Sequence, residues 1–324
     1  MIQAQALERL AADKYTKNWL AQYEQPTRER YLRDLGRFRQ WLRKEPRARL
    51  IDARRRGPEN VKRVLTDYYN HLKDEEREAP TSANQYITRL RSYFTANGVY
   101  LGRFLRKTDV QATYEGRKAS SLSRQDISNM VKSRKRPRDK FVIAFLVQTG
   151  QRIGVLTAMK RNMIDDAARK HGIVRVPSTF PDHRGRNVNK LRREYTFLVG
   201  RDTMKLLHVL DKLSPDKEGW LLKLSPRQMG RIVDEAAQAI GIQKKPQTKI
   251  GESWSAVHPN TFRKYWKKCM LDAKADTRAV LHMMGSDVPS VLRGWEPTDE
   301  ELLEAYEKGE SKLSLVEAPE SEAI

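Results

Sequence analysis

Through the first third of the chain, apolar residues recur at helical intervals. Tyr31, Leu35, Phe38 and Leu42 fall at i, i+4, i+7 and i+11, and Val61, Leu65, Tyr68 and Leu72 repeat the pattern. Ala83, Ile87, Leu90 and Phe94 make a third such face, closed by Asn97-Gly98, a pair suited to a left-handed C-cap. Thr27, beside Pro26, is the expected N-cap of the first of these helices. With Leu7, Leu10, Trp19 and Leu20 the pattern predicts a four-helix bundle over residues 1–110. The periodicity then lapses around Gly102–Leu122, a stretch carrying Arg103, Arg106, Lys107, Arg117 and Lys118, so residues 111–122 read as a basic linker.

A second domain, residues 123–308, opens with Ser123 and Asp126 at capping-box spacing. Phe141 to Leu146 predict an apolar helix ending at Thr149-Gly150, after which Ile153, Leu156 and Met159 resume a helical face. Gly172–Val176 and Glu194–Val199 read as two strands, and the polar, basic segment 178–193 between them predicts a hairpin with a long reach. Helices follow over Thr203–Leu213 and Ser225–Ile240. Thr298 and Glu301 form another capping box, before a short helix with Leu302 and Tyr306 on one face. The fold class is therefore mainly α with a small β-hairpin: a helical N-terminal bundle followed by an α+β domain.

Composition turns this outline toward a polyanion. The chain has 324 residues, 63 Lys and Arg against 41 Asp and Glu, and a net charge of +22, a balance that favours binding to nucleic acid through counterion release. The arginines of the first bundle, among them Arg28, Arg37, Arg89 and Arg91, predict a DNA-facing surface. A basic linker between two basic domains would let them close around a duplex. Residues 296–324 hold ten acidic and two basic residues, so 309–324 read as an acidic tail, either a solvated end or a segment docking on a basic surface. No apolar run approaches membrane-spanning length, the N-terminus lacks the order of a signal peptide, and a soluble, intracellular protein (cytoplasmic or nucleoid-associated) is expected. Cys269 is the single cysteine and reads as a packing thiol. No cofactor motif or metal-ligand cluster is evident in the sequence.

Two stretches carry the candidate chemistry: Thr149-Gly150-Gln151-Arg152-Ile153 and His258-Pro259-Asn260-Thr261-Phe262-Arg263-Lys264-Tyr265-Trp266. Each sets one arginine at the start of a helical pattern, and a fold that joins them would make a clamp for a phosphodiester. A helical bundle, a linker, Thr-Gly-x-Arg-Ile, a basic hairpin, an arginine-bearing helix and a late tyrosine, in this order, resemble the tyrosine recombinase (phage-type integrase) family. Ala96-Asn97-Gly98-Val99 and the stretch Pro297–Tyr306 are similar to integrases of archaeal origin.

The resemblance implies a core-binding SAM-like bundle and a catalytic domain. It implies site-specific recombination of double-stranded DNA through a covalent 3′-phosphotyrosine, with self-association as a dimer or tetramer on the DNA and neither metal nor cofactor. Arg152 and Arg263 are the matching arginines, Lys190 the matching hairpin lysine, and Tyr306 the nucleophile. Several positions depart from the family: Asn260 stands in place of a histidine, with His258 two residues earlier, Ser286 replaces another histidine, and Val155 stands where glutamate is common. Asparagine donates a hydrogen bond but does not exchange protons near neutral pH. Alternatives stay open at several sites. Lys190, like Arg184 and Arg186, reads equally as a DNA-phosphate contact, and Arg186 as a poorer proton donor. Trp295 reads as an indole donor to phosphate or as a core residue. His258 reads as a phosphate ligand at a helix N-terminus or as a cap. Tyr306 has the spacing of a core tyrosine as well as of a nucleophile, with acidic neighbours that disfavour a phenolate. The rival functions are an architectural or regulatory DNA-binding protein that has lost cleavage, and a type IB topoisomerase-like enzyme.

Overall fold

In a computed structural model, the structure describes residues 4–102, 122–165, 171–213, 219–242, 257–287, 294 and 296–315. The chain divides into two compact units. In the first, the described residues form α1 (Ala4–Ala12), α2 (Lys14–Leu20), α3 (Gln25–Leu42), α4 (Pro46–Arg56), α5 (Glu59–Asp74) and α6 (Pro80–Ala96). Trp19, Leu35, Phe38, Leu65, Tyr68, Ile87, Leu90 and Phe94 are fully buried at its centre, each aliphatic or aromatic side chain contributing about 1.5–3 kcal/mol.

The four expected helices are joined by two more elements. Asp13 divides the first stretch, its carboxylate accepting the amide protons of Tyr15 and Thr16 at 3.0 and 3.3 Å to start α2 anew. In α4, Pro46, Leu50 and Ala53 are the buried residues among a run of arginines, too narrow a face to show as periodicity. The N-cap of α3 is Glu24 and not Thr27, because Pro26 sits in the first turn, where a missing N–H costs nothing. Arg89 also departs from its expected exposure. It is buried and paired to buried Asp34 at 2.6 Å, while Arg37 is paired to Glu76 and Glu78.

The second unit is built around α8 (Pro137–Thr149), whose residues from Phe141 to Thr149 are all buried. Around it pack α7 (Arg124–Lys132), α10 (Arg201–Leu213), α11 (Pro226–Ala239) and α12 (Pro259–Asp272). Also among the described residues are α9 (Ile153–Ala158), α13 (Thr277–Met283), α14 (Asp299–Leu313), a 3-10 turn (Arg161–Met163) and an antiparallel sheet. Its strands β1 (Ile164–Asp165), β2 (Gly172–Val176) and β3 (Tyr195–Val199) lie in the order β1-β2-β3, with Val174 opposite Phe197. The hairpin forms between the two strand-like runs of the sequence; β1, two residues long, is too short to show as a run. Between β2 and β3 the chain makes a further tight turn, where Asp182 Oδ1 accepts the amide protons of Arg184 and Arg186 at 2.9 and 3.0 Å.

The expected capping boxes form at Ser123/Asp126 and Thr298/Glu301. Residues 309–315 are not part of a tail, however. Gly309 and Leu313 are buried on α14, Leu315 is buried beyond it, and the chain there is bonded to α7 and α10. Arg124 Nε donates to the Ser314 carbonyl at 2.8 Å, Ser128 Oγ to the Leu315 carbonyl at 3.0 Å, and the Leu315 amide to Asp202 at 2.8 Å. The charge count hid an apolar seam through Leu302, Ala305, Gly309 and Leu313.

Candidate active site

The site begins where α8 stops. Gly150 takes a left-handed conformation, φ +62°, and its amide closes the helix on Leu146 O at 3.2 Å. Trp266 lies so close beneath it that a β-carbon at Gly150 would come within 2.7 Å of the indole. The turn aims Arg152, the N-cap of α9, across to the C-terminal end of α13, where Nη1 donates to Gly285 O at 3.0 Å. Arg263, on the first turns of α12, arrives at the same place. Its Nη1 donates to Gly150 O at 2.9 Å and its Nη2 to Ser286 Oγ at 2.7 Å. Arg152, Arg263 and Ser286, far apart in the chain, thus form one cluster.

Its electrostatics are those of an anion site. Burial and the neighbouring charge of Arg152 push Arg263 down to about 10, still cationic at neutral pH, with Tyr195 acting the other way. An incoming phosphate would relieve the repulsion between the two guanidiniums. Tyr195, at the start of β3, is pushed up to about 12 by burial against the pull of Arg152 and Arg263. Its hydroxyl donates to Gln151 Oε1 at 3.1 Å, and its ring leaves no room for a side chain at Gly285, φ +54°. Gln151 Nε2 in turn donates to Met283 O at 2.6 Å. Gln151 and Tyr195 therefore brace the Gly285-Ser286 turn from below. His282 Nε2 accepts the Thr196 amide at 3.0 Å, which fixes α13 to β3. Arg193 Nη2 donates to Ser286 O. None of these four was singled out from the sequence for a role here. Gln151 lay inside the arginine motif and Tyr195 and Arg193 at the strand edge, but only the fold brings them to Ser286.

The other candidates are placed as follows. His258 is the N-cap of α12, its amide donating to Thr261 Oγ1 at 3.2 Å, and burial together with Lys264 holds its imidazole below the usual range. Asn260 is exposed in the first turn of the same helix, three residues before Arg263. Lys190 and Arg184 are exposed on the β2–β3 connection, while Arg186 is bound to Asp182 at 2.8 Å. Arg28 is exposed, and its Nε donates to Tyr23 O at 2.5 Å. Arg91 donates to Gly102 O. Lys118 and Trp295 lie outside the described residues.

Tyr306 lies in the core. It is 0% exposed, its hydroxyl donates to Gln148 O at 2.7 Å, and its ring meets His171 edge to face at 5.6 Å. Burial first, then Glu310 and Asp202, raise its phenol well above the ordinary value; the cation acting on it is Arg201. Arg201 Nε stands 3.1 Å from Glu310 Oε2, an ion pair that holds the helix carrying Tyr306 by charge as well as by packing, and His171 Nε2 lies 2.8 Å from Glu310 Oε1.

Comparison with known proteins gives the following. Residues 120–291 match the model of the phage integrase family. No curated protein matches the sequence. Among solved structures, the Tn1549 transposon integrase in complex with transposon right end DNA is similar with TM-score 0.55 at 15% identity, covering 90% of this chain and 97% of that one. The same integrase with circular intermediate DNA gives 0.55 at 14% identity, covering 94% and 98%. The XerH site-specific recombinase bound to a palindromic difH substrate gives 0.51 at 12% identity, covering 75% and 68%.

Proposed function

Because the chain belongs to the phage integrase family of tyrosine-type site-specific recombinases, we propose that it cuts and rejoins duplex DNA at a specific site through a covalent 3′-phosphotyrosine. The observation that carries this reading is the convergence of Arg152 and Arg263 on Gly285-Ser286. A scissile phosphate on this cluster would receive both guanidiniums on its non-bridging oxygens, and Ser286 could turn its hydroxyl proton to the same anion. Fixed donors of this kind contribute about 2.7–4 kcal/mol each to a charged transition state.

In the reaction, a tyrosine oxygen attacks phosphorus as its phenolic proton passes to water, the bond to the 5′-oxygen breaks, and that oxygen takes a proton. Lys190 is the proposed donor, a residue able to release one, as arginine is not. A 5′-hydroxyl then attacks the phosphotyrosine and reverses the steps on a new partner strand. Asn260 and Ser286 supply hydrogen bonds without exchanging protons. Tyr306, the proposed nucleophile, must first give up Gln148 O, so cleavage requires α14 to leave its seat. That the similar Tn1549 and XerH structures are DNA complexes supports duplex DNA as the substrate, and assembly as a multimer on DNA belongs to the same reading.

The test is covalent trapping. The protein and its Tyr306→Phe variant are incubated with nicked duplexes carrying candidate sites, and SDS-resistant protein–DNA adducts are sought. An adduct with the native chain alone establishes Tyr306 as the nucleophile, and an adduct with both moves the role to another tyrosine. The sealed position of Tyr306 favours a second reading, DNA binding without cleavage. Absence of adduct on DNA that the protein binds establishes that one.

A further inference from the structure

Three arginines, from three separate parts of the second unit, meet on one dipeptide. Gly285 O accepts from Arg152, Ser286 Oγ from Arg263, and Ser286 O from Arg193. Arg193 stands two residues before β3, where the chain returns from the β2–β3 connection. Other arginines of this unit are committed to carboxylates: Arg175 to Asp299, Arg186 to Asp182, and Arg201 to Glu310. The carboxylate beside Arg193 is Asp287, at 3.9 Å and itself 71% exposed, too far for a hydrogen bond and largely screened. The Arg193 side chain is 40% exposed. A guanidinium carries five N–H donors, so the bond to Ser286 O leaves it with donors for an anion, in reach of solvent and on the turn where the other two arginines converge.

We propose that Arg193 is a third phosphate-binding residue of this site, donating to the same phosphate as Arg152 and Arg263. The proposal rests on the reading of the arginine cluster as a DNA-phosphate site. It assigns the β2–β3 return a direct contact with substrate in addition to the proton donor proposed at Lys190. Ser286 is then held at both its carbonyl and its hydroxyl, so the three guanidiniums keep a fixed spacing before DNA arrives.

A purely structural Arg193 would instead act only by propping Ser286. Salt dependence separates the two, since removing one cation from a DNA phosphate makes the slope of log K against log salt shallower by about 0.9. The measurement is affinity for a labelled random-sequence duplex across a salt series, for the full chain and its Arg193→Ala, Arg193→Gln, Arg193→Lys, Arg152→Ala and Arg263→Ala variants, each checked for an unchanged melting temperature. Glutamine keeps a donor for Ser286 O but carries no charge. Expected are shallower slopes for Arg193→Ala and Arg193→Gln alike, and a native slope for Arg193→Lys. A second duplex series, with single methylphosphonates at successive positions of one bound site, should show the loss from Arg193→Gln vanishing at the same phosphate as the loss from Arg152→Ala. Native slopes for Arg193→Ala and Arg193→Gln, with shallower ones for Arg152→Ala and Arg263→Ala, overturn the role of Arg193 alone. Native slopes for all of them overturn the underlying reading of the site as well. Losses that vanish at different phosphates overturn the binding of one phosphate by all three.

Discussion

Tyr306 and Trp266 share one acceptor, the carbonyl oxygen of Gln148, at 2.7 and 3.0 Å. The last turn of α8 is thereby tied to α14 and α12 at once. Removing the phenol oxygen leaves the carbonyl with its indole partner, so Tyr306→Phe is expected to cost about 1 kcal/mol, a drop of a few degrees in melting temperature. Tyr306→Ala empties a fully buried ring site and should cost about 3–5 kcal/mol. The phenylalanine variant is therefore a folded control for trapping, and the alanine variant is not.

Gly150 should tolerate no side chain. A β-carbon there would collide with Trp266, and the left-handed conformation costs an L-residue about 1–2 kcal/mol even without the collision. Gly150→Ala is expected to lower thermal stability and, because Gly150 O anchors Arg263, to weaken DNA binding measured at a temperature where the variant remains folded.

Loss of a guanidinium at the cluster should act on chemistry more than on folding. For Arg152→Ala or Arg263→Ala, adduct formation on a trapping substrate should slow by about 100- to 1,000-fold. The change should persist at saturating protein, where weaker binding no longer matters.

Arg89 gives the opposite expectation. It is buried against Asp34, whose carboxyl burial raises while Arg89 lowers it. Breaking such a pair on one side strands a charge and costs about 3–5 kcal/mol. Arg89→Ala should unfold the first bundle, seen as loss of its cooperative melt. Arg28→Ala, by contrast, should leave the melt unchanged.

Stability should also depend on mild acid through His282. Burial and Arg193 hold its imidazole below the usual 6.5, and as an acceptor from Thr196 it must be neutral. As pH falls through 6.5 the unfolded chain takes up the proton first. Stability is then complete above that value and declines toward the lower folded pKa. Melting between about pH 7.5 and 5.5 should show this decline, and His282→Gln, which cannot take up a proton, should reduce it. His258, shifted in the same direction, keeps part of the slope.

What could be read from the chain was what local chemistry dictates. Capping boxes at Ser123 and Thr298 and the stop at Gly150 depend on residues a few positions apart, and the β2–β3 pairing on two strand-forming runs joined by one connection; each formed where its signal stands. The helix α4 was hidden because arginines interrupt its narrow apolar face, and the end of α14 because acidic residues outnumber the Leu302–Leu313 seam. Within the site, the two arginines and Ser286 were legible as motif positions. Gln151, Tyr195, Arg193 and His282 were not, since each acts through a partner between about forty and more than a hundred residues away. Arg37 and Arg89 looked like surface charge because their acidic partners lie far along the chain, Glu76 and Glu78 between α5 and α6 for Arg37 and Asp34 on α3 for Arg89.

Among the described residues, the bonds from Arg124 and Ser128 to the Ser314 and Leu315 carbonyls bring α7 beside the segment that follows α14. Two segments so placed can be joined and the chain reconnected in a different order. A circular permutant that joins residue 315 to residue 122 through a short flexible linker, and opens the chain at the exposed turn around Gly185, should retain the fold of this unit as an independent piece.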